Sequence, residues 1–275
     1  MEKTKTEAAP SEHVPARPVS RQGTDSGALI VNADDWGRDT PNTDRILDCY
    51  RVGAISSVSA MVFMQDSERA AQVALEKGID AGLHLNFTSS FSAPRVSSEL
   101  LVHHERVAAY LRRRRINQVF FHPGMTRSFD YVVAAQLEEY DRLYGAPPTR
   151  LDGHHHMHLC ANVLFGALMP AGTSVRRNFS FGPREKSFLN RRYRQFVDDR
   201  LARRHRLTDF FFSLAPLEPV DRLLRIFELS HESVVELETH PVVPAEYRFL
   251  TGDEFLRRTR DLPLATQDAR RGHAH

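Results

Sequence analysis

Short apolar runs that stop abruptly on polar, chemistry-bearing residues recur along this chain, and stretches of helical length and periodicity separate them. The first run is ALIV, Ala28 to Val31, which stops at Asn32, Asp34 and Asp35. A continuous apolar run of this length, bounded by a turn, is the pattern of a strand buried on both faces of a parallel sheet. Thr40 and Pro41 then supply an N-cap and a first-turn proline, and Ile46, Leu47, Tyr50 and Val52 make a helical stripe closed by Gly53. Further strand candidates are SSVSAMVF (Ser56 to Phe63), the alternating IDAGLHLNF, VFFHPGM, TRLD, the residues from Ser174 to Arg177, DFFFSL and SVVELETHP. Helix candidates lie between them: DSERAAQVALEKG, Glu105 through Arg115, Phe129 to Tyr144, Ala161 to Leu168, Lys186 to Arg204, VDRLLRIFEL and EFLRRTRDL. Residues 88–104 read as irregular. Strands alternating with helices predict a parallel sheet with helical crossovers.

Strand count and length favour closure of that sheet. The chain has 275 residues, and a (β/α) barrel takes roughly 250. The expected fold is therefore α/β, a distorted TIM-like barrel forming a single domain over residues 28–265. A disordered lead-in over 1–27 and a flexible tail over 266–275 are expected to flank it. The lead-in is polar and proline-bearing and has no signal-peptide core. No apolar run approaches the roughly 20 residues that span a bilayer, so the expected location is cytoplasmic. A net charge of +2 creates no field that demands a polyanionic partner. The two cysteines, Cys49 and Cys160, supply neither a disulfide framework nor a zinc–thiolate spacing.

Chemistry collects where the apolar runs end. NADD, HLN, LDGHHH and ETHP each follow a strand candidate directly, and in α/β barrels the carboxyl ends of the strands form the rim on which active sites are built. The densest cluster is LDGHHHMHL, with Asp152, His154, His155, His156 and His158 in seven residues. Its internal position, and the apolar Met157 and Leu159 within it, set it apart from a purification tag. Singly, the Asp pair could cap a helix and His84 could be a core histidine. Four clusters on one rim point instead to a cation site. One aspartate with two histidines, leaving positions for water and substrate, is a catalytic coordination set, and adjacent Asp34 and Asp35 allow one carboxylate to ligate while the other handles a proton.

In this order and spacing, NADDWG, GLHLN, LDGHHHMH and ETHP resemble the YdjC/ChbG family of carbohydrate deacetylases, including its hopanoid-associated branch. The resemblance runs from about Ala28 to Pro241. It implies a distorted β/α barrel, one divalent metal ion (zinc or magnesium), and hydrolysis of an N-acetyl group on an amino sugar to free amine and acetate. It places the metal on Asp35, His84 and His154, and the base on Asp34. His240, in THP, is the matching late histidine, and the chemistry gives it the role of general acid. The chain departs from the family in carrying Gly153 where serine is usual and Trp36 where phenylalanine is commoner. Residues 88–120 and 178–215 do not match the pattern, so the sugar is left open. It is an N-acetylated sugar or oligosaccharide, free or linked to a lipid or a nucleotide, and a homodimer is compatible with the sequence.

Other residues carry two readings. In an extended tract His154, His156 and His158 share a face and His155 points away; His156 and His158 then either line the pocket or orient a ligand from behind. Asp152 is expected to fix a ring nitrogen of a neighbouring histidine. Arg176 and Arg177 sit near a strand end, where they either orient Asp34 or lie on the surface. A phosphoester hydrolase is the rival enzyme reading, but it calls for a second ion and the sequence offers no second complete ligand set. The basic runs Arg112–Arg115 and Arg191–Arg206, the second with Tyr193 and Phe196 interleaved, could contact nucleic acid. Asp198 and Asp199 dilute the second run, which favours a solvated helix face.

Overall fold

The longest strand is β1 (Ala28–Trp36), an interior strand buried at all nine positions. It sits in a seven-stranded sheet with β2 (Ser57–Ala60), β3 (Asp80–Leu85), β4 (Arg150–Gly153), β5 (Ser174–Val175), β6 (Phe210–Ser213) and β7 (Val234–Thr239), in the order β5-β4-β3-β2-β1-β7-β6. Every pairing is parallel. The computed structural model describes residues 27–181, 185–262 and 264–266. Apart from Gly27 and Thr266, the expected lead-in and tail lie outside the described residues.

Helices wrap the sheet: α1 (Thr40–Arg51), α2 (Ser67–Lys77), α3 (Ser98–Arg113), α4 (Ile116–Val119), α5 (Thr126–Tyr144), α6 (Ala161–Gly166), α7 (Phe188–Ala202), α8 (Val220–Leu229), α9 (Pro244–Leu250) and α10 (Asp253–Thr259). The sheet curls until its edge strands nearly meet. Ser180 N donates to Phe211 O at 2.8 Å and Phe211 N to Ser180 Oγ at 3.1 Å, while Arg206 N reaches Thr173 O at 3.0 Å. These isolated bonds stand where a ladder would close a regular barrel, which makes this a distorted TIM-like barrel.

Strand alternation divides the residues between two environments. Val31, Ala33, Leu83, Leu85, Leu151, Val235 and Leu237 pack in the apolar core. The interleaved Asn32, Asp34, His84, Asp152, Glu236 and Glu238 are equally buried but gather in a polar interior. Asn32 Oδ1 accepts from Arg150 Nη1 at 2.6 Å and from Ser57 Oγ at 3.0 Å. Asn32 and the Arg150 Nη1 group are thereby satisfied within the interior.

Several elements differ from the sequence reading. VFFHPGM is not a strand. Val119 ends α4, and Phe120 and Phe121 are exposed, because the β3-to-β4 crossover is filled by α3, α4 and α5 and the sheet has no place for another strand. Residues 98–104, read as irregular, open α3, capped by Ser97 Oγ accepting from Leu100 N at 3.1 Å. The cap of α1 is Asp39, whose side chain accepts from Asn42 N at 2.9 Å; Thr40 and Pro41 already lie inside the helix. Helix α9 was hidden by Pro241 before it and Pro244 in its first turn.

Candidate active site

A regular strand sends adjacent side chains to opposite faces, yet Asp34 and Asp35 both reach the mouth. The backbone explains it. The β1–β2 register shifts between Ala33 and Trp36, and Asp35 takes a left-handed φ of 67°. That conformation is uncommon for a residue with a Cβ and concentrates at functional positions. His84 arrives from β3. His154 arrives from a 3₁₀ turn over His154–Leu159 that follows β4, with His155 and His156 both at positive φ, 54° and 57°. The tract is thus coiled, not extended, and its histidines do not share a face.

Ligand-capable atoms of Asp35, His84 and His154 all lie within 4.8 Å of one another. Asp35 Oδ1 is 3.0 Å from His154 Nδ1 and 3.7 Å from His84 Nε2, spacings close to those of neighbouring ligands around an ion held at about 2.1 Å. Asp35 Oδ1 and His154 Nε2 are buried without a hydrogen-bond partner. Buried polar atoms are rarely left so, and two donors facing one carboxylate oxygen fit a divalent cation. His84 is oriented from behind, its Nδ1 2.7 Å from Asp152 Oδ1, the carboxylate–histidine arrangement that fixes a ligand's tautomer. Asp152 Oδ2 in turn accepts from Ser59 Oγ at 2.5 Å and pairs with Arg176 Nη2 at 2.8 Å.

Arg176 organises the carboxylates. It is buried and forms a fork with Asp34, Nη1 to Oδ2 and Nη2 to Oδ1, both 2.7 Å, while its Nε donates to Glu236 Oε1 at 2.7 Å. Burial pushes Asp34 upward, but Arg176 and then His84 outweigh it and hold the carboxyl well below the usual range. For Asp35, burial is overridden by His154, His84 and Arg38, again with a net lowering. Burial pushes Asp152 upward too, but Arg176 and His84 outweigh it and bring the carboxyl down to about 2. In His84 the desolvation that lowers the ring's pKa is outweighed by Asp34 and Asp152, leaving it raised.

The remaining expectations divide. His240 follows β7 beside Asp34: its Nε2 is 3.5 Å from Glu238 Oε1, and its backbone N donates to Glu246 Oε2 at 2.7 Å. His156 packs edge-on against Phe179 at 4.7 Å with Nε2 3.7 Å from Glu238 Oε2, and burial pushes it down to about 3. His158 is fully buried, and its Nε2 donates to Arg176 O at 2.9 Å, so it supports the arginine and lines no pocket. Arg177, the residue after Arg176 and like it just beyond β5 (Ser174–Val175), turns the other way. It donates to Asp198 Oδ2 at 2.9 Å and to the carbonyls of Thr208 and Asp209, tying β5 to α7. It therefore stands outside the cluster.

Sequence reasoning missed Glu236 and Glu238. Two acids at i and i+2 in a strand that is otherwise apolar were the available signal, because they share the inward face. Glu238 joins Asp34 and His240 in a further cluster within 4.8 Å. That cluster is a poor second ion site, because both oxygens of its Asp34 already accept guanidinium N–H groups. Burial and the nearby Asp34 raise Glu238 well above the usual carboxyl range, which favours its neutral form.

The family model for YdjC-like proteins matches residues 28–270. The chain belongs to the YdjC-like family. Among its relatives in that family are the chitooligosaccharide deacetylases of Serratia marcescens, 31% identical over 136 residues (48% of this chain and 50% of the relative), and of Proteus mirabilis, 29% identical over 135 residues (49% and 51%). The chain thus spans about half the length of the curated relatives it matches. An Enterococcus faecalis crystal structure named for cellobiose-phosphate cleavage superposes with a TM-score of 0.62 at 18% identity, over 88% of this chain and 97% of that one. It shares the YdjC-like chain's fold.

Proposed function

We propose that the protein is a metal-dependent carbohydrate deacetylase, hydrolysing the N-acetyl group of an N-acetylated amino sugar to free amine and acetate. The observation that carries this reading is the convergence of Asp35, His84 and His154 beside an Asp34 clamped by Arg176, with His240 at the same mouth. The names of the Serratia and Proteus relatives support the bond type.

Asp35, His84 and His154 would hold the ion, whose chemistry there would be to polarise the acetyl carbonyl and acidify water. Asp34 takes the proton of the attacking water at Oδ2, the oxygen nearer His84. Arg176 keeps that carboxylate ionised and aimed, at the cost of basicity, so Asp34 suits an acidified water and not a free one. His240 supplies a proton from Nε2 to the departing sugar nitrogen. Without it the tetrahedral adduct returns to amide, since an amide anion is a poor leaving group. Two imidazoles and one carboxylate form a donor set that suits zinc, and the open positions also admit magnesium.

The test is acetate release from N-acetylhexosamine oligomers, nucleotide sugars and lipid-linked sugars, with single divalent ions restored after chelation. Asp35→Ala, His84→Ala and His154→Ala are expected to lose both bound metal and turnover. Asp34→Asn keeps the metal and loses about 10²- to 10⁴-fold in rate. Full metal occupancy in all three alanine variants, or a near-normal rate in Asp34→Asn, would refute the assignment.

A further inference from the structure

Two basic runs remain that the proposed chemistry does not use, and both carry exposed apolar side chains. Arg112–Arg115, at and beyond the end of α3, are all exposed, and the chain continues through exposed Ile116, Val119, Phe120 (63%) and Phe121. On α7, Phe188 (67%), Leu189 (78%), Tyr193 and Phe196 are exposed among Arg191, Arg192 and Arg194. Helix α6 joins the two runs into one surface. It contacts α4, and Asn162 in its first turn exchanges hydrogen bonds of 3.1 and 2.9 Å with the His122 backbone. At its other end the exposed Phe165 lies 6.4 Å from Phe196, with the Arg200 guanidinium 4.8 Å over its ring. Exposed apolar residues are ordinary singly, but a contiguous group marks an interaction surface. Because α6 follows the histidine turn directly, this surface flanks the mouth.

Its charge selects the partner. Residues 186–206 carry eight Lys and Arg side chains against Asp198 and Asp199, and residues 112–121 carry four Arg and no acid. Asp198 is already committed to Arg177. The whole chain is only +2, so the cationic excess is concentrated here. Aromatic rings set among guanidinium groups complement an anionic lipid–water interface, where rings settle at headgroup depth and cations meet phosphates. A nucleic-acid duplex leaves Phe120, Phe188 and Leu189 without a role, and a second copy sets arginines against arginines.

We propose that the α4–α6–α7 face docks the protein peripherally on an anionic phospholipid bilayer. The docking stands apart from the deacetylase reading; only its consequence, presentation of a membrane-borne sugar to the mouth, rests on that reading.

The test is co-sedimentation of the full chain, without sugar, on phosphatidylcholine vesicles and on vesicles with about 30 mol% phosphatidylglycerol, at low and high salt. The expected result is binding to the anionic vesicles at least about tenfold above the neutral ones, weakened by salt. Phe120→Ser with Phe121→Ser, and Phe188→Ser with Leu189→Ser, each reduce it about tenfold while acetate release from soluble oligomers is unchanged. Vesicle binding without acetate release from any sugar supports the docking and removes only the deacetylase reading. Equal or absent binding to the two vesicle types overturns the proposal. So does tighter retention on duplex DNA, or a dimer in light scattering that the phenylalanine variants dissolve.

Discussion

Arg176 faces Asp34, Asp152 and Glu236 at once, all of them buried. Arg176→Met leaves three carboxylates without their cation, so a loss of about 3–5 kcal/mol is expected in urea unfolding; an unchanged midpoint would show that the carboxylates find other partners. Arg176 and Arg177 lie just past β5, and the sequence alone could not phase which of them turns inward, because β5 has only two laddered residues. Asp152 was legible, since one polar residue before a histidine turn has few other uses. Glu236 and Glu238 were not legible, because alternating acids in a strand fit a solvent-facing face as well as a buried one. A second test at this scale concerns His104, buried with its ring 4.2 Å from Phe91 and its Nε2 unpartnered. Burial, then Arg112, pushes it down to about 4. Between pH 6.5 and 4 the unfolded chain therefore holds the extra proton, and stability falls as pH drops through that window, by about 3 kcal/mol in total. His104→Phe should flatten this part of the stability–pH curve; an unaltered slope would exclude His104 as its source.

The strands were legible where an apolar run ends on chemistry: β3 and β7 lie within the stretches read as strands, while β1 continues past Val31 to Trp36 and β4 past Asp152 to Gly153. The histidine tract was not. Its positive-φ turn depends on what packs around it, and local propensity argues against two left-handed histidines in succession. The Phe120–Phe121 stretch failed for the converse reason: its strand propensity had no neighbouring strand to satisfy it. Between β3 and β4 the packing itself gives a prediction. A Cβ on Gly82 would stand 2.8 Å from Arg150 Cζ and 3.0 Å from Arg150 O. Arg150 cannot retreat, because its guanidinium is tethered to Asn32 Oδ1 and to Val58 O at 2.8 Å. Gly82→Ala should therefore cost about 1–3 kcal/mol in chemical denaturation. Wild-type stability in that variant would mean the interior is looser than these contacts imply.

On the scale of the whole molecule, the proposed ion ligands come from β1, from β3 and from the turn after β4. An unfolded chain cannot assemble that set, so an ion that binds it binds the folded state alone. At about a hundredfold excess over its dissociation constant, such an ion adds about 2.7 kcal/mol of stability. For a domain of this size that corresponds to a rise of about 5 to 10 °C in Tm. Thermal unfolding after chelation, and again after zinc or magnesium is restored, measures this with no substrate present. His84→Ala should abolish the response, because it removes one of the three proposed ligands. His158→Asn should retain it, because His158 supports Arg176 and faces no ion. A wild-type Tm indifferent to every divalent ion would dissolve the coordination argument even if acetate release were found. It would also leave the buried, unpartnered Asp35 Oδ1 and His154 Nε2 to be explained by water.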